Sequence, residues 1–418
     1  MHSHATFAPW LDWLDTQQQQ MLDATIALSR INSGSFNVEG VNAVAYELNR
    51  ISAGLGGERN FIDVAPYVSM SSSGELLEKP LGQALRIRKR PEAPLQVFLG
   101  GHLDTVFAAD HPFQDIQWLD DNTLNGPGVA DLKGGLVLMF KALEALERSP
   151  WAKNIGWEVL LNPDEEIGSA SSAPLLIEAA KRHQLGMIFE PCFTDGNLAG
   201  QRKGSGNFSV VAKGRSAHAG REHHLGRNAI RALCDFISAL DDLNGQRTGV
   251  TINPGFIQGG GAVNVVPDTA IARFNIRIER PEDQPWCLQK IDGQIAKINQ
   301  RDGLNLTLHG TFGRQPKILT PTNQKLFELV RECGLSLNMD LQWLPTGGCC
   351  DGNNLAAAGL PNIDTLGVQG GNIHSSDEYC LVSSLSQRAK LSALLLMKLA
   401  SSNELHWLKK DDCSEGLS

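Results

Sequence analysis

The feature that most constrains the fold of this chain is a regular alternation of short apolar runs with helical patterns, interrupted once. Up to about Gln201, apolar segments such as PLQVFLGG, WEVLLN and LGMIFE alternate with helical segments such as GGLVLMFKALEAL. Short apolar strands separated by helices predict a mostly parallel sheet that is covered by helices on both faces. This pattern stops near Gly204 and resumes at Thr320. The order of segments therefore predicts an α/β domain with an insertion.

The interrupting segment has its own order of elements. NFSVVAKG, RNAIRALCDFISALDDL, TGVTINPGFIQGG, TAIARFNIRIE, the helical stretch 281–300 and LNLTLHG read β-α-β-β-α-β. This is the order of a ferredoxin-like α+β sandwich. The 418 residues also exceed the roughly 250 to 300 at which a single core stops growing. We therefore expect one discontinuous domain formed by 1–203 and 315–418, and an inserted domain over 204–314.

The composition argues against two classes of partner. A net charge of −9 disfavours a nucleic-acid surface, because phosphate binding needs clustered Lys and Arg. No stretch approaches the ~20 apolar residues that span a bilayer. The N-terminal segment MHSHATFAPWLDWLDTQQQQ lacks the basic and apolar regions of a signal peptide. We expect a cytoplasmic protein with neither a nucleic-acid nor a membrane partner.

Residues that could bind a metal ion lie at the ends of the predicted elements. His102 and Asp104 are two apart after the strand LQVFLGG, so in an extended chain their side chains point to one face. A metal-bound imidazole usually donates its other N–H to a carboxylate, which Asp104 could accept. Asp131 lies between GPGVA and a helix, where glycines permit close backbone approach and a carboxylate could bridge two cations. On its own, Asp131 is also typical of a helix N-cap.

Further acids follow the next two predicted strands. Glu165 and Glu166, in NPDEEIGS, come after WEVLLN, and Glu190 closes LGMIFE. Ligands of open α/β sheets bind outside the carboxyl ends of the strands. Because neighbouring side chains diverge, one glutamate could bind metal while the other accepts a proton from water. The alternative is a solvated acidic turn, and His374 in GVQGGNIHSSDEY could be an ordinary loop histidine.

Taken together, the motifs resemble those of a known enzyme superfamily. GHLDTVF, GPGVADLKGG, NPDEEIGS, IFEP, AKGRSAHAG, GGGAVNVVPD and GNIHSSDEY occur in an order that is similar to the co-catalytic zinc peptidases and deacylases. That superfamily includes glutamate carboxypeptidase, acetylornithine deacetylase, aminoacylase and succinyl-diaminopimelate desuccinylase, and the resemblance leans toward the first. It extends from about Leu95 to the C-terminal helix. It implies a zinc-exopeptidase-like catalytic domain and, over 204–314, a lid or dimerisation domain.

The resemblance implies a centre of two Zn²⁺ ions. Asp131 would bridge the two ions. His102 and Glu190 would complete one site, and Glu166 and His374 the other. Co²⁺ or Mn²⁺ could replace zinc, because carboxylate and imidazole ligands accept these ions as well.

The resemblance also implies how the centre works. Glu165 would be the general base, and Asp104 would orient His102. A cis peptide bond would follow the bridging aspartate, between Asp131 and Leu132. Together these roles describe hydrolysis by metal-activated water.

Residues that contact substrate are implied in and beside the inserted domain. His218, as a catalytic residue, and Asn264 would reach an active site, in some relatives across a dimer, and polarise the scissile carbonyl or hold substrate. Arg277 or Arg314 could grip a substrate carboxylate in a bidentate manner. For each arginine the alternative is a surface ion pair.

A glycine loop in LPTGGCCDGNN completes the implied substrate side. Gly347 and Gly348 would face the substrate, and Asp351 matches an acid of the same motif. Cys349 and Cys350 depart from the residues seen in many relatives, so they could narrow the pocket or simply pack as neutral thiols.

These inferences predict a zinc-dependent metallopeptidase that cleaves an amide bond of a small peptide or N-acyl amino acid and releases an amino acid. Carboxypeptidase action is favoured, and an N-acyl-amino-acid deacylase is the alternative. A metal-binding sensor without catalysis, or a structural dimerisation module, is disfavoured because the base Glu165 and a complete ligand set are present. We expect a homodimer that forms through the inserted domain.

Overall fold

A computed structural model describes residues 4–71, 73–402 and 406–408. The elements before the insertion are α1 (His4–Thr16), α2 (Gln18–Ser29), α3 (Val38–Ile51), β1 (Glu58–Ile62), β2 (Tyr67–Met70), β3 (Leu76–Lys79), β4 (Ala84–Lys89), β5 (Leu95–His102), β6 (Gln117–Trp118), β7 (Thr123–Asn125), α4 (Gly134–Arg148), β8 (Ile155–Asn162), α5 (Ala173–Arg182), β9 (Leu185–Ile188) and β10 (Leu198–Arg202).

The predicted insertion and the segment after it contain the remaining elements. The insertion comprises β11 (Gly204–Lys213), α6 (Ala229–Asp241), β12 (Thr251–Gly259), β13 (Thr269–Ile278), α7 (Asp283–Asn299) and β14 (Asn305–Arg314). The chain then forms α8 (Pro321–Ser336), β15 (Trp343–Thr346), α9 (Asp351–Ala357), β16 (Asn362–Ile363), β17 (Gly370–Gly371), β18 (Tyr379–Leu381) and α10 (Ser384–Ser401).

A six-stranded sheet with the order β1-β4-β8-β5-β9-β16 forms the centre of the larger unit. The strands β8, β5, β9 and β16 are parallel, and only β4 pairs antiparallel with both of its neighbours. Alternate side chains point to opposite faces. Val97 and Leu99 therefore belong to the large core with α1, α4 and α10, whereas Phe98 packs toward α5 and α9. Helices cover both faces, as the apolar runs predict.

The insertion is a four-stranded antiparallel sheet with the order β12-β13-β11-β14. The helices α6 and α7 pack on one face through a core of their own, which includes Phe236, Phe274 and Ile291. The other face contacts the hairpin β2–β3, where Met70 packs against Val211 and Ile271. This is the predicted β-α-β-β-α-β order.

The predicted fold class is confirmed, namely an α/β domain with a mostly parallel sheet and an inserted α+β sandwich. The boundaries at 203/204 and 314/315 stay a prediction. The apolar segment NIDTLGV yields only the two-residue strand β16. None of the helices in the described part of the chain combines the length and apolar character needed to cross a membrane.

The two chain segments that lead into and out of the insertion are paired with each other. The backbone N–H of Arg202 donates to the carbonyl of Lys317 at 3.1 Å, and the N–H of Lys317 donates back at 2.9 Å. Both side chains meet Asp364, which is fully buried just after β16. The guanidinium of Arg202 donates to both carboxylate oxygens at 2.8 and 2.9 Å, and Lys317 Nζ donates at 2.7 Å. One buried carboxylate thus binds both of the segments that connect the insertion to the larger unit.

Candidate metal centre

Three adjacent parallel strands end at one edge of the central sheet and deliver the candidate ligands there. His102 is the last residue of β5. Glu165 and Glu166 lie in a short 3-10 turn after β8, and Glu190 lies two residues beyond β9. Because β5 lies between β8 and β9, these side chains lie at the same edge of the sheet although they are far apart in the sequence.

Asp131 enters from a tight segment between β7 and α4. Gly128 adopts a positive φ of 73°, which favours glycine. A Cβ on Gly135 would come within 2.2 Å of the carbonyl oxygen of Phe189, so glycine lets α4 pack directly on the end of β9. The Asp131–Leu132 peptide bond is cis, as the resemblance implies. This packing carries the Asp131 carboxylate to the sheet edge.

The five predicted ligands form two groups that share Asp131. His102, Asp131 and Glu190 make one group, and Asp131, Glu166 and His374 make the other, with ligand atoms in each within 4.8 Å of one another. His102 Nε2 is 3.1 Å from Asp131 Oδ1, and His374 Nε2 is 3.3 Å from Asp131 Oδ2. The two oxygens of one carboxylate thus face different imidazoles, which is the arrangement that bridging requires.

The environment of these groups fits bound cations. Glu190 Oε1 is buried without a hydrogen-bond partner in the described part of the chain. Burial raises the pKa of Glu190 well above its usual value. Burial and the charge of Asp131 raise the pKa of Glu166 to about 8. A nearby positive charge stabilises the ionised form of buried carboxylates that lie close together. The residues therefore fit a pair of divalent ions.

The second group is more open than the first. His102 is 1% exposed, whereas the side chain of His374 is 52% exposed. Hydrogen bonds to Asp131 and Glu166 raise the pKa of His374 to about 11. An imidazolium and a metal ion would therefore compete for the same carboxylates, and the exposed side leaves room for a substrate.

Asp104 connects the first imidazole to the turn that carries the glutamates. His102 Nδ1 lies 2.9 Å from the carbonyl oxygen of Asp104 and 3.4 Å from its Oδ1. The carboxylate accepts the backbone N–H groups of Glu165 and Glu166 at 3.1 and 3.2 Å, and the hydroxyl of Ser35 at 2.7 Å. The orienting role of Asp104 stays a prediction, and its contacts are those that such a role needs.

Glu378 is a functional candidate that sequence reasoning missed. Its buried carboxylate accepts the backbone N–H groups of Gly128, Ala130 and Asp131 at 3.2, 3.0 and 3.0 Å. It therefore fixes the segment that carries the shared ligand. Burial and the charge of Asp131 raise its pKa to about 7. The residue lies inside the motif GNIHSSDEY, four positions after His374, but nothing in the sequence signals its backbone partners.

Glu165 interacts electrostatically with the ligands Glu166 and Glu190 but belongs to neither metal group. Its Oε1 lies 2.7 Å from Arg314 Nη2, an ion pair without good hydrogen-bond geometry. Arg314 also donates to the carbonyl of Glu165 at 3.1 Å and to Ser169 Oγ at 2.8 Å. Asp351, which lies 3.5 Å from the same guanidinium nitrogen, completes this buried cluster. The predicted substrate contact of Arg314 stays a prediction, since the structure gives the arginine protein partners.

The remaining substrate-side candidates lie around the loop before α9. Arg277 donates to Asn275 Oδ1 and to Cys349 Sγ, both at 2.9 Å, and no carboxylate pairs with it in the described residues. Gly347 and Gly348 are exposed. Cys350 is buried and caps α9. Arg277 therefore has a guanidinium that could still accept an anionic partner.

His218 and Asn264 lie on two segments of the insertion that pair with each other. They are exposed, and the N–H of Ala219 donates to the carbonyl of Asn264 at 2.9 Å. His218 Nδ1 accepts the N–H groups of Gly220 and Arg221. No hydrogen bond or ion pair joins either residue to a metal ligand within the described part of one chain, so their catalytic roles stay predictions.

Comparison with known proteins gives consistent likenesses. The sequence pattern described as peptidase family M20/M25/M40 matches residues 98–398, a range that includes all five candidate ligands. The chain is 26% identical over 395 residues to carboxypeptidase G2 of Pseudomonas sp. (strain RS-16), covering 92% of this chain and 90% of that protein. It is 28% identical over 294 residues to succinyl-diaminopimelate desuccinylase of Acinetobacter baylyi, covering 67% and 76%. A solved M20 family metallo-carboxypeptidase from Sulfolobus solfataricus is similar with a TM-score of 0.70 at 16% identity, covering 90% and 98%.

Proposed function

The chain belongs to peptidase family M20/M25/M40 and is an enzyme that hydrolyses amide bonds, and on that premise we propose that it is a dinuclear-zinc carboxypeptidase that releases an amino acid. The observation that carries the proposal is the pair of ligand groups that share Asp131, together with the buried carboxylate of Glu165, which belongs to neither group. A sensor that only binds metal would not need that additional acid.

When bound, two Zn²⁺ ions held by the shared aspartate and its four partners would polarise a water molecule and the scissile carbonyl. Glu165 accepts a proton from the attacking water, whose oxygen bonds to the carbonyl carbon. The C–N bond then breaks, and Glu165 passes the proton to the leaving amine. The products are a carboxylate and an amine. Co²⁺ or Mn²⁺ would suit the same ligands.

Arg277 is the favoured partner of a substrate carboxylate, because none of the carboxylates in the described residues pairs with its guanidinium. Arg314 would first have to leave Glu165. Gly347 and Gly348 would line the same side. Carboxypeptidase action is supported by the match to carboxypeptidase G2, and deacylase action by the matches to desuccinylases, one of which extends over 403 residues. We propose small peptides or N-acyl amino acids as substrates of a cytoplasmic enzyme.

The proposed function is tested by assaying the metal-replete protein side by side on folate-like glutamyl conjugates, dipeptides and N-acetyl amino acids. We expect hydrolysis that a chelator abolishes and Zn²⁺ restores. Replacing the substrate's α-carboxylate by a carboxamide should lower kcat/KM by about 10- to 100-fold, because a charge-assisted hydrogen bond is lost. Absence of hydrolysis in all three classes would contradict the proposal.

We also propose a homodimer that forms through the insertion. The strand β12 is an edge strand, and its Phe256 and Ile257 are 40% and 54% exposed. Such edges readily pair with another chain. His218 forms a β-bridge with Val265 in the loop that follows β12, so a partner chain that pairs along β12 would lie close to His218.

Light scattering should give the mass of two chains for the wild type and the mass of one chain for Ile257→Glu. Leu335→Glu, at another exposed apolar residue, is the control. A monomeric wild type would contradict this proposal.

A further inference from the structure

A cavity of about 520 Å³ lies between the hairpin β2–β3 and the sheet of the insertion. We call it the hairpin cavity. The hairpin supplies one side of its lining, and the strands β11, β12, β13 and β14 supply the other. The residues found to line it include neither Glu165 nor any of the five candidate metal ligands. The hairpin cavity is therefore distinct from the metal centre.

The sheet side of the hairpin cavity is polar. Six polar side chains of the insertion line it, and they form two rows across the strands. The rows are Asn253–Asn275–Asn207 and Arg273–Ser209–His309. Alternate residues of a strand point to the same face, so the two rows lie on one face of the sheet. That face is the one that the hairpin contacts.

The polar side carries positive charge and no acid. Arg273 and His309 belong to the lining, and neither aspartate nor glutamate is found in it. The Arg273 guanidinium is held in place, because Nη2 donates to the carbonyl of Met70 at 2.7 Å and the group lies 4.6 Å from the centroid of the Phe256 ring. No carboxylate of the described residues pairs with it. A fixed arginine without an acidic partner suits an anionic ligand.

The asparagine row presents hydrogen-bond donors. Arg277 Nε donates to Asn275 Oδ1 at 2.9 Å, and this fixes the orientation of the Asn275 amide because a guanidinium only donates. Asn275 Nδ2 then donates to Asn207 Oδ1 at 2.7 Å. Within the described part of the chain, Nδ2 of Asn207 and Nδ2 of Asn253 have no acceptor. Both amide groups are available to an acceptor such as a carboxylate.

The hairpin side of the cavity is apolar. Val68 and Leu76 line it and are 52% and 59% exposed. Met70 packs against Val211 and Ile271, which attaches this side to the sheet. Covering the exposed apolar surface with an apolar group is favourable. A ligand that suits both sides of the cavity therefore has an anionic head and an apolar chain.

We propose that the hairpin cavity binds a small organic monoanion. Its carboxylate contacts Arg273 and the amide of Asn207, and its apolar chain contacts Val68 and Leu76. The bound anion links the hairpin of the larger unit to the insertion, because it contacts both. This site does not depend on the proposed function, since it includes none of the candidate ligands of the metal centre.

The test uses the metal-replete protein with hexanoate as the probe and hexanamide as its uncharged counterpart. Titration calorimetry should show that hexanoate binds about tenfold more tightly than hexanamide, because charge-assisted hydrogen bonds form only with the anion. Arg273→Gln should weaken hexanoate binding about tenfold. Ser209→Leu fills the polar side without removing charge and should weaken it as well. The matched control is Arg231→Gln on α6, outside the cavity, which should bind hexanoate like the wild type.

Hydrogen exchange of the backbone amides locates the bound anion. Hexanoate should slow the exchange of β2 and β3 in the wild type and leave it unchanged in Arg273→Gln. Urea unfolding shows whether each variant is folded before it is titrated. Hexanoate that binds at the metal centre instead would be insensitive to both Arg273→Gln and Ser209→Leu, and this result would overturn the inference. Tighter binding of inorganic phosphate than of hexanoate would also overturn it, because the apolar side would then contribute nothing.

Discussion

Glu165→Gln should lower kcat by about 10³-fold or more while both metal ions stay bound, because the variant loses the group that accepts and returns the proton. Glutamine has nearly the same shape and can keep the contact with Arg314 that Glu165 makes at 2.7 Å. Glu165 also belongs to neither ligand group. The loss should therefore appear in kcat measured at saturating substrate, with little change in KM.

The matched control is Glu178→Gln on the exposed side of α5, which should retain wild-type kcat. Elemental analysis of each variant accompanies the kinetics. Near-normal turnover in Glu165→Gln would refute the assignment of the base. Loss of metal along with turnover would mean that the residue supports the centre rather than moving protons.

Asp364→Asn should destabilise the protein by about 3 to 5 kcal/mol, since it leaves Arg202 and Lys317 buried without a counter-charge. Arg202 is 9% exposed and Lys317 is 1% exposed. Urea unfolding followed by fluorescence measures the change. Asp15→Asn removes the exposed ion pair with Lys390 and should cost less than about 1 kcal/mol. Equal stability of the two variants would show that the buried anchor contributes no more than a surface pair.

The contribution of Asp364 should also depend on pH. Burial alone would raise the pKa of Asp364, but the charges of Arg202 and Lys317 outweigh burial and hold that pKa below its usual value. A lowered folded-state pKa stabilises the native state above the unfolded-state pKa of about 4 and less as pH falls below it. The stability gap between wild type and Asp364→Asn should therefore narrow in acid. A difference in unfolding free energy between the two proteins that widens below pH ~4 would contradict the predicted direction.

The sequence predicts the parts of this molecule whose pattern is local. Apolar strands such as β5 and β8 and amphipathic helices such as α4 follow directly from the spacing of apolar residues. Placement of His102 and Glu190 at strand ends is also local information, because each follows an apolar run. The strand order β8-β5-β9, which brings those ends together, has no local signal, and the sequence offered only the general rule that ligands bind outside the carboxyl ends of open sheets.

Other features depend on contacts between distant segments and leave no local signal. Glu378 is conspicuous only when its carboxylate is seen to accept the N–H groups of the Asp131 segment, some 250 positions away in sequence. The ion pair of Glu165 with Arg314 likewise joins the ends of β8 and β14. The hairpin β2–β3 is short and largely exposed, so its apolar periodicity is weak although it contacts the insertion.

The most direct test of the account is the metal content of the purified, metal-replete chain, measured by elemental analysis beside Asp131→Ala. Because His102 and Glu190 on one side and Glu166 and His374 on the other share Asp131, we expect two ions per wild-type chain. Removal of the shared ligand should release both. One ion per wild-type chain, or two ions retained by Asp131→Ala, would contradict a centre that is bridged by Asp131.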